Sequence, residues 1–432
     1  MRLFAGLKGQ QGAGAGSAYV AFAFATSGLL TFVFHGYAGR SLGEARYGDF
    51  AVLWTVVFLV AQVLWIGVSQ TLGRYVAERE ARGEDPRPVI SSVKRFQTGL
   101  LAAFLFLSAL MAPLLTGAVF EGDWMLTVAY VAAVAALAPE YFRRGTFGGR
   151  RQFARLGALH VVESSSRLLI AVVLLFVGTG MVGPAAALVL APLVAVLAVR
   201  PVPEAAPEKA GAPFSALGAL RFAGPVLACV AFAQALMNGG PLLLRLLGGT
   251  SDQIALLASA LILARTPQYV LSPVVSSLLP HASRALATEG AAGFDRFVLR
   301  AVLAVGAVGV AMVAGTWLLG EWAVRLVYGE AFEADQGLLA TLAALAAFYL
   351  LSETLNQALF ALGHGRVAAL GWFVGLPVST FCLTALSVGV VERVAYSLSL
   401  GVFAAAMAQA ALYLAARRRP TPPATSRDPS AP

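Results

Sequence analysis

Apolar residues in this chain come in runs of about twenty, separated by short stretches rich in Arg, Gly and Pro. A helix needs roughly 20 apolar residues to cross a bilayer. The pattern predicts twelve such helices, at Ser17–Tyr37, Phe50–Leu72, Phe96–Phe120, Trp124–Phe142, Leu156–Val177, Met181–Val199, Leu217–Leu247, Ser251–Leu279, Phe297–Leu319, Gln336–Leu362, Val367–Val388 and Val394–Ala416. After the sixth, RPVPEAAPEKAGAPFS shifts to Pro, Ala and charge and reads as a linker. The expectation is an all-α polytopic membrane protein. A six-helix bundle spans 1–199, a cytoplasmic linker 200–216, a second six-helix bundle 217–416, and a disordered cytoplasmic tail 417–432.

The two halves carry related text. YFRRGTFGGRRQFARLGALHVVESS joins spans four and five, and NQALFALGHGRVAALGWFVGLPVST joins ten and eleven. Each has a Phe- and Gly-rich turn, a basic residue (Arg151, Arg366) and then a polar-flecked helix. LGRYVAEREARGED after span two likewise parallels LPHASRALATEGAA after span eight. Parallel repeats of this kind are typical of transporters, which place substrate between the halves.

Composition agrees with the pattern. The 432 residues are 59% hydrophobic and 12% charged, more apolar surface than a soluble domain of this length could hide. A net charge of +9 raises nucleic-acid binding, but the basic residues sit in short loops, where they set topology. They crowd alternate loops: Arg74 to Arg95, Arg143 to Arg155, Arg200 to Arg221, Arg284 to Arg300, Arg366, and Arg417 to Arg419. The opposite loops hold Arg40, Arg46, Arg325 and Arg393. Both termini are therefore expected in the cytoplasm, with the chain in a bacterial cytoplasmic membrane. Cys229 and Cys382 fall inside spans, so no disulfide framework, metal site or cofactor is expected.

Ordered motifs carry a family likeness. RSLGEARYGDFAV (Arg40–Val52) resembles the Leu-Gly…Tyr-Gly-x-Phe stretch that opens the second span of polysaccharide flippases. These belong to the multidrug/oligosaccharidyl-lipid/polysaccharide (MOP) superfamily, with the multidrug MATE exporters and lipid II flippases. Leu326–Gly371 resembles that family's second-half pattern, ending in Asn-Gln…Leu-Gly-x-x-Arg, and LPHASRALATEGAAGFDRFVLR its loop after span eight. The resemblance implies two six-helix bundles around a central cavity and alternating access. The implied cargo is a lipid-linked oligosaccharide on a polyprenyl (pyro)phosphate, moved between leaflets for cell-surface polysaccharide synthesis. It makes membrane lipids the surroundings, and a glycan polymerase and glycosyltransferases of the same pathway potential partners.

Charges inside spans are the candidate chemistry. Arg265 sits mid-span, followed by Thr266, Pro267 and Gln268, with Pro267 and Pro273 loosening the helix. A guanidinium at the midplane costs at least about 2.5–3.5 kcal/mol, so Arg265 is expected to face protein or a wet cavity. Such a cation suits an anionic headgroup; the plainer alternative is a buried arginine bonded to carbonyls. Arg245, Gln234 and Asn238 join it as substrate-binding candidates, because Gln234 and Asn238 share a helix face and Gly239, Gly240 and Pro241 break the span after them. Arg245 could instead snorkel to the interface. His35 and Arg40, closing the first span, complete the set. Glu163 and Arg167, four apart, read as an intrahelical pair or a polar path, and Glu353, near Asn356 and Gln357, as a helix contact or a coupling carboxylate.

A multidrug cation exporter of the same superfamily would want carboxylates in its cavity, whereas the central charge here is cationic. A membrane-embedded glycan polymerase or ligase usually needs a large external loop or an acidic cluster. The external loops are short, with GEAFEAD (Gly329–Asp335) the acidic stretch among them. A transporter, not an enzyme, is the expectation. A non-transporting scaffold would have little use for midplane charges and a broken helix.

Overall fold

Backbone placed in hydrocarbon must satisfy its own hydrogen bonds, and a helix does so within a single segment. The computed structural model describes residues 13–202, 209–210, 213–276 and 278–417. The first residues of the N-terminal tail, most of the linker and the C-terminal tail beyond Arg417 lie outside the described residues, as do the side chains of Pro273 and Arg366. The helices in order are α1 (Ala13–Leu42), α2 (Glu44–Ala81), α3 (Arg87–Ala118), α4 (Trp124–Gly149), α5 (Phe153–Phe176), α6 (Val182–Ala198), α7 (Ala216–Asn238), α8 (Gly240–Leu246), α9 (Ser251–Ser276), α10 (Leu278–Tyr328), α11 (Gln336–Ala361), α12 (Gly365–Ala385) and α13 (Val390–Ala416). The fold is all-α.

Among the described residues, nine helices are long and apolar enough to span a membrane, and α7 with α8 makes a tenth span bent by 68°. The 17-residue α6 and the 26-residue α9 correspond to the remaining two expected spans. Several helices overrun their predicted bounds. α2 continues beyond Leu72 to Ala81, because YVAEREA is rich in strong helix formers. α4 runs to Gly149, so Arg143 and Arg144 are helical, not loop residues. α10 starts at Leu278 rather than near Phe297 and breaks at Gly290, whose φ of 68° suits glycine. α9 carries on through Pro267 to Ser276.

The Gly-rich stretch read as a turn is mostly helix. A Cβ at Gly145 would stand 2.5 Å from the Ser69 carbonyl oxygen, and one at Gly149 2.8 Å from Val76 Cβ. Hydrogen in place of both lets α4 lie directly against α2. The turn itself is Arg150–Gln152. Arg151 adopts a left-handed φ of 52°, and the Gln152 amide donates to the Phe147 carbonyl at 2.8 Å. The matching turn after α11 places Gly363 at φ 79°, with the His364 amide donating to the Leu359 carbonyl at 2.9 Å. Both are the same left-handed helix closure, which is what the repeated text encodes.

The chain forms two compact units. One takes in residues up to Ala223 with Thr250–Ser259 and Arg325–Phe332; the other holds Gly224–Gly249, Ala260–Val324 and Glu333 onward. In the first unit α2 packs on α4, and α5 on α1 and α6. Arginines from the α4–α5 segment secure the end of α6: Arg143 donates to the Val199 carbonyl and Arg155 to the Arg200 carbonyl. Arg150 reaches Glu80 at 3.6 Å. In the second unit α13 packs on α11 and α12. There the added Cβ of Gly401 would lie 2.8 Å from the Gly375 carbonyl oxygen, so the two backbones nearly touch.

Candidate functional site

In the second unit, Gly239 and Pro241 end one helix and start another. Pro241 has no N–H to continue the α7 ladder and occupies the first turn of α8, where none is needed. The last turn of α7 presents Gln234 and Asn238 on one face. Asn238 Nδ2 donates to Gln234 Oε1, which fixes the amide so that its Oδ1 points outward as an acceptor. Arg265 Nη1 from α9 donates to that oxygen at 2.5 Å. The guanidinium also lies 5.7 Å from the ring centroid of Tyr269, one turn further along α9.

Arg265 is partly exposed, and among the described residues no carboxylate pairs with it. Its Nε has no hydrogen-bond partner. A permanently charged fork held by a neutral amide keeps donors for an anion, and phosphate oxygens match that fork in pairs. Thr266 Oγ1 donates to the Ile262 carbonyl at 3.0 Å, one helical turn back.

Arg245 lies in the last turn of α8 at 5% exposure. It is an interior residue rather than one snorkelling to an interface. On α11, Glu353 accepts from Asn356 Nδ2 at 3.3 Å, and Asn356 reaches the Cys229 sulfur of α7 at 3.5 Å. Gln409, fully buried, has an amide that fits its surroundings when Oε1 accepts from Trp372 Nε1 at 3.0 Å and the nitrogen donates to Ser352 Oγ at 3.1 Å.

The remaining candidates belong to the first unit. Arg167 Nη1 meets Glu163 Oε1 at 2.9 Å, with both side chains buried. Thr31 Oγ1 accepts from Arg167 at 3.3 Å, and the rings of Trp54, Phe58 and Phe34 stand 4.9, 5.7 and 5.8 Å from its guanidinium. His35 is 1% exposed, not interfacial. Its Nδ1 is 3.1 Å from the Tyr47 hydroxyl, with Trp54 stacked edge-on at 4.3 Å. Arg40 is exposed and donates to the carbonyls of Leu326 and Val327, the latter at 2.9 Å, closing the C-terminal end of α10.

One pair escaped the sequence reading. Glu140, fully buried, takes Arg144 Nη2 at 2.5 Å and Nε at 3.0 Å on a single oxygen. His160 is buried in the same unit, its ring 4.3 Å from Phe24. The Glu-x-x-x-Arg spacing that marked Glu163 and Arg167 was equally present at 140 and 144. Among the described residues no cluster of His, Cys, Asp and Glu could hold a metal ion.

Comparison with known proteins now fixes the family. The profile of the polysaccharide biosynthesis protein family matches residues 13–286. This chain belongs to that family. The polysaccharide biosynthesis family member described here is similar to the uncharacterized protein Rv3630 of Mycobacterium tuberculosis, 25% identical over 379 residues covering 84% of each chain. Rv1510 of the same organism is 24% identical over 362 residues, covering 80% of this chain and 79% of that one. Among solved structures, an inward-facing multidrug resistance MATE family transporter of the MOP superfamily superposes with a TM-score of 0.70 at 16% identity, covering 93% of this chain and 98% of that one. The Vibrio cholerae MATE transporter VcmN in its bent form gives 0.61 at 17% identity, covering 93% and 96%. At such identities the likeness is one of fold. The family member is thus a multi-pass membrane protein with the fold of those transporters.

Proposed function

We infer that this protein flips a lipid-linked oligosaccharide, a sugar chain on a polyprenyl phosphate or pyrophosphate, across the bacterial cytoplasmic membrane by alternating access. The observation that carries the reading is Arg265: a mid-helix guanidinium, partly exposed, anchored by Asn238 and left without a carboxylate. Its chemistry supports an anionic headgroup as cargo. Gln234 and Asn238 add amide donors and acceptors beside it. The family's role in polysaccharide synthesis supports the sugar portion, and the bias of basic residues supports cytoplasmic termini. Enzymes that build and extend the same glycan are the natural partners.

A test compares glycan export in cells carrying wild-type protein or Arg265→Ala at matched membrane levels. Export is expected to fall to background in the variant. Undiminished export would remove Arg265 from the transport path. A second reading, export of an organic cation, draws support from Glu353, a membrane carboxylate with an amide and no ion pair among the described residues. Efflux of a cationic dye from the same cells, lost in Glu353→Ala and kept in Arg265→Ala, would favour it.

A further inference from the structure

In the first unit, α2 carries a stripe of side chains with unmet hydrogen-bonding groups. Trp54, Phe58 and Gln62 recur every four residues and so share one face of the helix. All three are partly exposed. The two fully buried tryptophans are satisfied: Trp65 Nε1 donates to the Val134 carbonyl at 2.9 Å, and Trp372 Nε1 to Gln409. Trp54 Nε1 donates to nothing among the described residues, and the Gln62 amide makes no hydrogen bond there either. Neither group is sealed in the interior. An unmet amide in hydrocarbon is costly, so this face borders water or a polar ligand rather than acyl chains. The apolar exposure of α2 lies elsewhere. Val63, 54% exposed, stands nine residues past Trp54, about two and a half turns and therefore on the opposite side.

The two rings are held in place. Their centroids are 4.3 Å apart, and His35 packs edge-on against Trp54 at 4.3 Å. Arg167 sets its guanidinium 4.9 Å from the Trp54 ring and 5.7 Å from the Phe58 ring, and is itself held by Glu163 and Thr31. A cationic cargo would find these rings already facing a cation. A pyranose suits them better. Its C–H face packs on an aromatic surface, its oxygens accept from the indole N–H, and its hydroxyls both donate to and accept from an amide. We propose that Trp54, Phe58 and Gln62 form a subsite for a sugar ring of the lipid-linked glycan. The inference rests on the flippase reading and adds to it the surface that reads the glycan. Arg265 answers to the phosphate whatever sugar follows; the α2 stripe answers to the hydroxyls. Arg167 and Glu163 position the rings and touch no sugar.

The test uses full-length protein in nanodiscs and measures affinity for polyprenyl diphosphate, bare or bearing a hexose, an N-acetylhexosamine or a disaccharide of the two. Wild-type protein is expected to bind at least one sugar-bearing lipid about tenfold tighter than the bare lipid, the scale of one or two net hydrogen bonds. Trp54→Leu and Gln62→Ala should each remove most of that gain while keeping bare-lipid affinity, which also shows that they fold. Trp54→Phe, which keeps a ring and loses the N–H, should fall between. A wild-type protein that binds the bare lipid and gains nothing from any sugar overturns the subsite. So does a gain that survives both Trp54→Leu and Gln62→Ala, the result for a stripe that merely faces acyl chains. An equal loss for bare and sugar-bearing lipids in both variants overturns it too, since that marks a structural role. Bare-lipid binding that is indifferent to Arg265→Ala overturns the anion reading instead, while the sugar gain still judges the α2 stripe.

Discussion

A guanidinium inside a membrane bundle has to be answered by something, and four arginines here are answered differently. Arg144 and Arg167 each meet a glutamate four residues back. Arg40 caps helix carbonyls, and Arg265 has an amide. These differences set the cost of removal. Arg167→Ala leaves the buried Glu163 carboxylate without its cation and is expected to destabilise by about 3–5 kcal/mol, whereas Glu163→Gln with Arg167→Met should recover most of it. Thermal unfolding in detergent compares the two. Arg40→Ala, at an exposed helix end, should cost about 1 kcal/mol or less. Spacing alone reveals Glu163–Arg167. It holds Glu140–Arg144 as well, but Arg143 and Arg144 adjoin glycines and pass for loop residues until the helix is seen to run on. The Asn238–Arg265 bond joins residues on different helices, and no local period announces it. Composition shows that Arg265 must be accommodated; only packing shows by what.

At the scale of elements, glycines decide which helices can touch. Gly401→Leu must push α13 away from the Gly375 backbone and is expected to cost more than about 2 kcal/mol. Gly99 in α3 meets nothing within 4 Å of an added Cβ, so Gly99→Ala should stabilise by up to about 1 kcal/mol through helix propensity. Melting temperatures of the two variants, moving in opposite directions, check the assignment. Helix existence was readable from apolar periodicity, since a span has nowhere else to satisfy its backbone. Helix ends were not: Ala, Glu and Arg prolong α2 past the apolar stretch, and α4 runs on through RRGTFGG. The break between α7 and α8 was readable because Gly239, Gly240 and Pro241 leave the ladder no way to continue.

For the whole molecule, the distribution of Arg and Lys over alternate loops predicts a cytoplasmic C-terminus. A cysteine introduced by Ser426→Cys in a Cys382→Ser background should react with a membrane-impermeant maleimide in inverted vesicles and stay unlabelled in intact cells. Labelling in intact cells would reverse the topology. Cys229, at 3% exposure, should stay silent in both preparations.

The secured end of α6 bears on the lipid as much as on the protein. Its 17 residues rise only about 25 Å, less than the roughly 30 Å of hydrocarbon in an ordinary bilayer. Leu190, Val194 and Leu197 on that helix are exposed, and the arginines from α4 and α5 hold polar groups at its last carbonyls. Acyl chains bordering α6 must shorten or tilt to meet it, drawing the headgroups inward. The bilayer is therefore expected to be thinner along this flank than beside the longer helices.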